Sequence, residues 1–340
     1  MNCILVTGAT GFLGGAVARE FNRLGLKVIA TGRNWEAGEK LKDQGIEFHS
    51  CDIGREPTLL NQLVSQCSAV VHAAALSAPW GNPHEFMIAN QHGTEHVINA
   101  CRSAKSVKRL VHISSPSVQF DFKDQPLAKE MTTWTSAPAN DYIATKRQAE
   151  TMVLKAALTG LDAIVLRPKA LFGPGDTTLL PRVARVAMRG SFPLFSDSDP
   201  LMDLTFIDDT VSAVWLALKA DSSHSGKVYN VTSGDPQRRS RVLGTLLEAC
   251  GLPVRFRNLS MKHALALATA LEWGSRAITG GRWEPPLTRY SVGALGFDQT
   301  LDISAARRDL GFNPQTDVLA RLHETGCLWR EAQTPLKTLV

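Results

Sequence analysis

The sequence predicts an α/β protein: a doubly wound parallel sheet with a smaller, mostly helical domain at its carboxyl end. Three observations carry that prediction. Short apolar runs alternate with segments of helical spacing through the first half of the chain. The first run turns into a helix through a glycine-rich loop. Two further strand-like runs come much later, so the chain leaves the sheet and returns to it.

The early strand candidates are Cys3–Thr7, Lys27–Thr31, Ile46–Asp52, Ala69–Ala74 and Arg109–Ser114. They are apolar throughout rather than alternating, as expected of parallel strands covered on both faces. Between them, Val17, Phe21 and Leu24 form one helical stripe, and Val97, Ile98 and Cys101 form part of another. The alternation implies right-handed crossovers. The later candidates are Ala163–Arg167 and Lys227–Val231, which divides the chain into a sheet domain, 1–173 plus 206–232, and a smaller one, 174–205 plus 233–340.

With 340 residues, 44% hydrophobic and 20% charged, the chain has the composition of a globular protein. The net charge of +5 is modest and its basic residues are scattered, apart from a knot at Arg238, Arg239 and Arg241, which argues against nucleic acid as a partner. The six cysteines form no C-x-x-C pair and no zinc-spaced cluster, so no metal is expected, and reduced thiols in the cytoplasm fit best. No leader is expected before the first strand, and the most apolar later stretch, Ala264–Leu271, is far short of the roughly 20 residues that span a bilayer.

The first strand runs into T-G-A-T-G-F-L-G, with Gly8, Gly11 and Gly14 three apart, and a helix follows. One glycine turns the chain out of the strand, one lets backbone approach a pyrophosphate, and one lets the helix pack on the sheet. The helix N-terminus then offers free N–H groups to phosphates. Within a repeating β/α pattern this is a dinucleotide site of the Rossmann type. An NAD site usually carries an acid at the end of the second strand. Here Gly32 and Arg33 stand there instead; an arginine can grip a 2′-phosphate, which favours NADPH with NAD as the second choice, or it is a solvated loop residue.

Tyr142 and Lys146, in D-Y-I-A-T-K, share a helix face, and neither Tyr229 nor Tyr290 has a lysine four residues on. Alone, the pair reads more readily as part of a surface helix, with a half-buried tyrosine and a solvated lysine. Beside a dinucleotide, a lysine that lowers a phenol's pKa makes a tyrosine able to exchange a proton with a carbonyl oxygen.

With these motifs in order the chain resembles an extended short-chain dehydrogenase/reductase over nearly its whole length. The resemblance rests on residues 7–14, C-D-I at 51–53, V-H-A-A-A at 71–75, N-Q-H-G-T at 90–94 and H-I-S-S at 112–115. It continues with Y-I-A-T-K at 142–146, L-R-P-K-A-L-F-G-P-G-D at 166–176 and F-I-D-D at 206–209. It implies that Ser115, Tyr142 and Lys146 are catalytic, with Ser114 the near neighbour of Ser115. It implies cofactor contacts from Gly8, Thr10, Gly11, Phe12, Leu13 and Gly14, from Arg33 and Asn34, from Asp52 and Ile53 at the adenine, and from Ala73, Ala74 and Ala75. Asn90, Tyr142, Lys146 and Pro168 complete that set. His72 and His112 are expected to be satisfied core histidines.

Pro116 and Ser117 stand where the dehydratases of this fold carry an Asp-Glu pair, which removes that reaction. The run 164–182 is most similar to the 3β-hydroxysteroid dehydrogenase branch, near the bacterial reductases of long-chain β-keto acids. The expected reaction therefore interconverts a ketone and a secondary alcohol on a lipophilic substrate. A nucleotide-sugar epimerase or reductase is the alternative, with Arg182, Arg185, Arg276 and Arg282 as its support; a silent dinucleotide sensor is disfavoured by the intact Tyr–Lys pair. Residues 261–278 place Leu265, Leu267, Leu271, Trp273 and Ile278 on more than one helix face, suggesting a lid that meets substrate, a membrane surface or only core. Trp80 either lines the substrate mouth or caps a loop. As in the family, 84–104 and the helix from about 141 to 159 are expected to form a homodimer interface.

Overall fold

The computed structural model describes residues 3–333 apart from 132, 133, 135, 136 and 196–198. Its frame is a seven-stranded parallel sheet: β1 (Ile4–Thr7), β2 (Val28–Gly32), β3 (Glu47–Ser50), β4 (Ala69–His72), β5 (Arg109–Ile113), β6 (Ala163–Pro168) and β7 (Val228–Val231), in the order β3-β2-β1-β4-β5-β6-β7. All seven candidate runs are strands of this sheet. The predicted Ile46–Asp52 ends at Ser50, because Asp52 turns back to accept the Gly54 N–H at 3.0 Å. The predicted Ala69–Ala74 ends at His72, where the chain bends past Gly8.

The unbroken apolar runs have a direct cause. Ile4 and Val6 face one core while Leu5 faces the other, and Val111 and Leu110 divide the same way. The first core is closed by α1 (Phe12–Arg23) and α2 (Trp35–Lys42) and by a later helix, Ile207–Lys219. The second is closed by α3 (Pro57–Ser65), α4 (Gly93–Ser103) and α5 (Asp141–Leu158). The strands end level: Thr31, Thr7, His72 and His112 are register partners in one row across β2, β1, β4 and β5. That carboxyl edge, where strand order reverses at β1 and β4, is where ligands bind in such sheets.

The later helices are α6 (Leu179–Ala187), α7 (Ile207–Lys219), α8 (Arg239–Ala249), α9 (Met261–Thr279), α10 (Arg289–Gly296) and α11 (Val318–Gln333). Of these, α7 belongs to the sheet layer. One small sheet crosses the expected division of the chain: Gln125–Ala128 pairs with Gln299–Leu301, which pairs with Leu201–Met202, which pairs with Gln237–Arg238. The first member comes from the segment 1–173, and a strand this short carries no period that could assign it. Among the described residues no helix is long and apolar enough to cross a membrane. Five cysteines are buried, as small hydrophobes are, and Cys327 is half-buried.

Candidate active site

The glycine loop leaves β1 at Gly8, whose φ of +71° suits a residue without a side chain. A Cβ there would lie 2.6 Å from Ala74 backbone, and one on Gly14 would lie 2.3 Å from the Gly8 carbonyl. The loop is thus a tight backbone cradle against Ala73 and Ala74, with Gly11 as the N-cap of α1 and no side chain spent on capping. These residues fit a dinucleotide pyrophosphate: the first-turn N–H groups of α1 are free to receive it. Gly32 answers to Thr10. A Cβ at 32 would sit 2.3 Å from the Thr10 hydroxyl, so the room that this glycine leaves is already filled by protein. Arg33 is exposed and its guanidinium has no protein partner among the described residues. Asn34 caps α2 by accepting the Ala37 N–H at 3.0 Å, which commits its side-chain oxygen. Asp52 binds Arg55 at 2.9 Å, and the buried Ile53 accepts from His96 at 2.8 Å through its carbonyl.

Asn90 sits in a π-helical turn, Met87–His92, a distortion frequent at functional sites. Its oxygen accepts the Leu76 N–H at 2.6 Å, and its amide donates to the Leu76 carbonyl at 3.2 Å and to Thr145 at 3.0 Å. It therefore clamps the loop after β4 to α5, one residue from Lys146.

On α5, capped by Asn140, Tyr142 is half-buried and Lys146 is buried. The Lys146 ammonium donates to the Ile113 carbonyl at 2.6 Å, at the end of β5, and burial lowers its pKa to about 8. Ser115 and Ser77 hydroxyls flank the Tyr142 phenol. Burial pushes that phenol above its ordinary value, while the two serines and then the charge of Arg182 pull it down. Arg182 belongs to α6 and donates to the Ser77 carbonyl at 3.3 Å.

The two adjacent serines separate cleanly. Ser114 points into the core and donates to Glu150 at 2.6 Å; Glu150 is fully buried and paired with the buried Arg167. Ser115 points the other way, 2.8 Å from the Ser117 hydroxyl. Ser117 in turn meets Tyr290 of α10, whose pKa burial and the neighbouring Tyr142 raise to about 12. Tyr290 stacks edge-on against Phe120, 5.3 Å between centroids, in the cluster that also holds Tyr142 and Ile143. Nothing local in the sequence marks Tyr290 or Ser77 for this site; contacts between segments 65 (Ser77–Tyr142) and 173 (Ser117–Tyr290) residues apart leave no spacing to read. Pro168 is buried at the end of β6. His72 is a satisfied core histidine, bonded to Thr7 at 2.8 Å and Thr94 at 2.9 Å. His112 differs from expectation: among the described residues neither ring nitrogen has a hydrogen-bond partner. Burial and the charge of Lys146 hold both rings neutral.

The helix α9 carries the stretch whose contacts the sequence leaves open between substrate, membrane surface and core. Its large apolar residues face solvent, with Leu267 55%, Trp273 75% and Ile278 85% exposed. Its buried face is small, Ala264 and Ala268, with Glu272 paired to Arg289. At its carboxyl end Arg276 lies over the buried Trp80, 4.7 Å to the ring centroid, and pairs with Asp141 at the start of α5.

Residues 4–232 match the profile of the NAD dependent epimerase/dehydratase family. The chain belongs to that family. Within it, the chain is 33% identical to 2-alkyl-3-oxoalkanoate reductase of Stenotrophomonas maltophilia, over 93% of this chain and 96% of that one. It is 29% identical to the decarboxylating sterol-4-alpha-carboxylate 3-dehydrogenase of Saccharomyces cerevisiae, over 96% and 97%. The fold is shared with a UDP-glucuronic acid 4-epimerase from Bacillus cereus solved with NAD: TM-score 0.75, 19% identity, 97% of this chain and 99% of that one. The chain is accordingly a dehydrogenase/reductase of the epimerase/dehydratase family, with a Rossmann-type sheet.

Proposed function

We propose that the chain reduces a ketone, or oxidises the matching secondary alcohol, on a lipophilic substrate, using NADPH in preference to NADH. The observation that carries the reading is the meeting of Ser115, Tyr142 and Lys146 at the sheet's carboxyl edge, beside the Gly8–Gly14 cradle. When bound, the dinucleotide supplies or accepts the hydride. Tyr142 gives a proton from its phenol oxygen to the substrate oxygen, or takes it back; Ser115 donates a hydrogen bond to the same oxygen; Lys146 keeps a positive charge beneath the phenol. The β-keto acid and sterol acid substrates printed in the names of the relatives support a lipophilic, acid-bearing class.

The free guanidinium of Arg33 supports NADPH, since Gly32 owes its identity to Thr10. The exposed Leu158 on α5 supports a homodimer through α4 and α5, and the solvent-facing Leu267, Trp273 and Ile278 support brief contact with a membrane surface. The test is Tyr142→Phe. The variant should keep its melting temperature and its dinucleotide affinity and lose about 10²–10⁴-fold in turnover of 3-oxoalkanoates. A Phe variant with a rate near that of the natural chain would remove the assignment.

A further inference from the structure

Between α6, α10 and the strand pair Phe192–Leu194/Phe256–Asn258 lies a cavity of about 290 Å³. Val186, Phe192, Phe195, Leu259, Leu287 and Leu295 make its apolar wall, and the exposed Arg189 and Arg257 stand at its rim. Behind the wall, Phe195, Leu259, Leu287 and Leu295 pack against Ala264 and Ala268 of α9, so that helix shapes the chamber from outside.

The chamber adjoins the reacting groups. Arg182 and Val186 are four residues apart on α6, so they share a face about 6 Å apart along the axis. Arg182 acts on Tyr142 at one end, and Val186 lines the chamber at the other. Tyr290 is followed directly in α10 by Ser291: one meets Ser117 at the reacting cluster, the other lines the chamber. A molecule whose carbonyl oxygen lies at Tyr142 would thus have Arg182 beside it and an apolar chamber beyond.

We infer that this chamber holds the hydrocarbon tail of an acyl substrate, with Arg182 and Tyr290 as the junction between its acidic head and its tail. The inference rests on the ketone reduction proposed above and adds the class: a 3-oxo acid with a long unbranched chain. A nucleotide fits the chamber less well. Of its four polar lining residues, Ser291 is spent on capping α10 with Thr288, and the two arginines sit at the rim, which leaves Ser191 alone for a base edge. Polar groups of a base would be buried without partners.

The experiment has two arms. In the first, kcat/KM is measured over a homologous series of 3-oxoalkanoates of increasing length. The natural chain should gain about fourfold per added methylene until the chamber is full. Val186→Phe and Leu259→Trp, each narrowing the chamber from a different wall, should flatten that slope. In the second arm, dodecanoate is titrated calorimetrically into the same three proteins without substrate. Binding should weaken at least tenfold in either variant. Reduction of 3-oxo acids with no dependence on length, together with equal dodecanoate binding in all three proteins, overturns the tail site and leaves the reductase standing. Binding of UDP, lost in Arg189→Ala, with no binding of dodecanoate, also overturns it. If no ketone is turned over with either dinucleotide but dodecanoate binding falls in the variants, the reductase fails and the tail site stands.

Discussion

The glycine cradle and the acyl chamber meet at Tyr142, and they are built differently. The cradle is backbone. Gly8, Gly11 and Gly14 lie within seven residues, and the one contact from afar that defines them is the Ala73–Ala74 turn. The chamber is side chains, drawn from α6, the short strand pair and α10, across about a hundred residues of chain. A backbone site tolerates almost no change at its glycines but asks little of anything else. A side-chain site tolerates exchange at each position and owes its shape to their sum.

The sharpest break of that contrast is Gly8→Ala. Left-handed strain of about 1–2 kcal/mol and overpacking of about 1–3 kcal/mol act together against the Ala74 backbone. Unfolding should become easier by about 2–5 kcal/mol in denaturant titration, with dinucleotide binding lost. A variant that still bound the dinucleotide normally would show that the cradle is not backbone-determined.

The second concerns Lys146, which joins the two halves. The folded chain releases its proton near pH 8 and the unfolded chain near 10.5, because burial disfavours the charge. Between those values the unfolded state holds more protons, so stability rises with pH there and the contribution is absent below pH 8. Compared with Lys146→Met, the natural chain should gain up to about 3 kcal/mol across that window. Parallel stability curves for the two proteins would refute the burial assigned to this lysine.

Smaller is the effect of Arg33→Ala at the outer end of the cradle. A charge-assisted contact with a 2′-phosphate is worth about 1.5–3 kcal/mol. The ratio of NADPH to NADH dissociation constants should shift by about 10- to 100-fold, mostly through NADPH. An unchanged ratio would return Arg33 to the role of a solvated loop residue.

The smallest is Tyr290→Phe on the chamber side. Removing one hydroxyl from the Tyr290–Ser117–Ser115 series should lower kcat about tenfold, on the scale of one hydrogen bond, with dinucleotide affinity unchanged. A change in KM alone would make Tyr290 a wall of the chamber rather than a positioning residue.

The same contrast governs what could be read before the structure. The seven strands and the Gly8–Gly14 loop were legible because each is specified within a dozen residues by period or spacing. Tyr142 and Lys146 were legible for the same reason, one helical turn apart. The resemblance favours Ser115 over Ser114, but the reason Ser114 points away, its bond to the buried Glu150–Arg167 pair, was not legible. Thr10 against Gly32, Arg182 against Tyr142 and Tyr290 over Ser117 are single contacts between segments remote in sequence, and no periodicity announces them. For the helix 261–279 the sequence leaves substrate, membrane surface and core open, because a surplus of apolar residues shows that some must lie outside one stripe, not which way they face.

The small sheet that ties Gln125–Ala128 to Gln299–Leu301 has a consequence in time. Leu127 and its partner Thr300 are 173 residues apart. At a synthesis rate of roughly 5–20 residues per second, the earlier strand waits roughly ten to thirty seconds on the ribosome for its mate. Throughout that interval, while α5, β6, α7 and β7 are still being made, it is an open edge able to pair with another nascent chain. Tyr290, which stands over the reacting cluster from α10, emerges only shortly before that mate. The seven strands of the nucleotide fold, the last of them Val228–Val231, are therefore all made before the segment that supplies Tyr290.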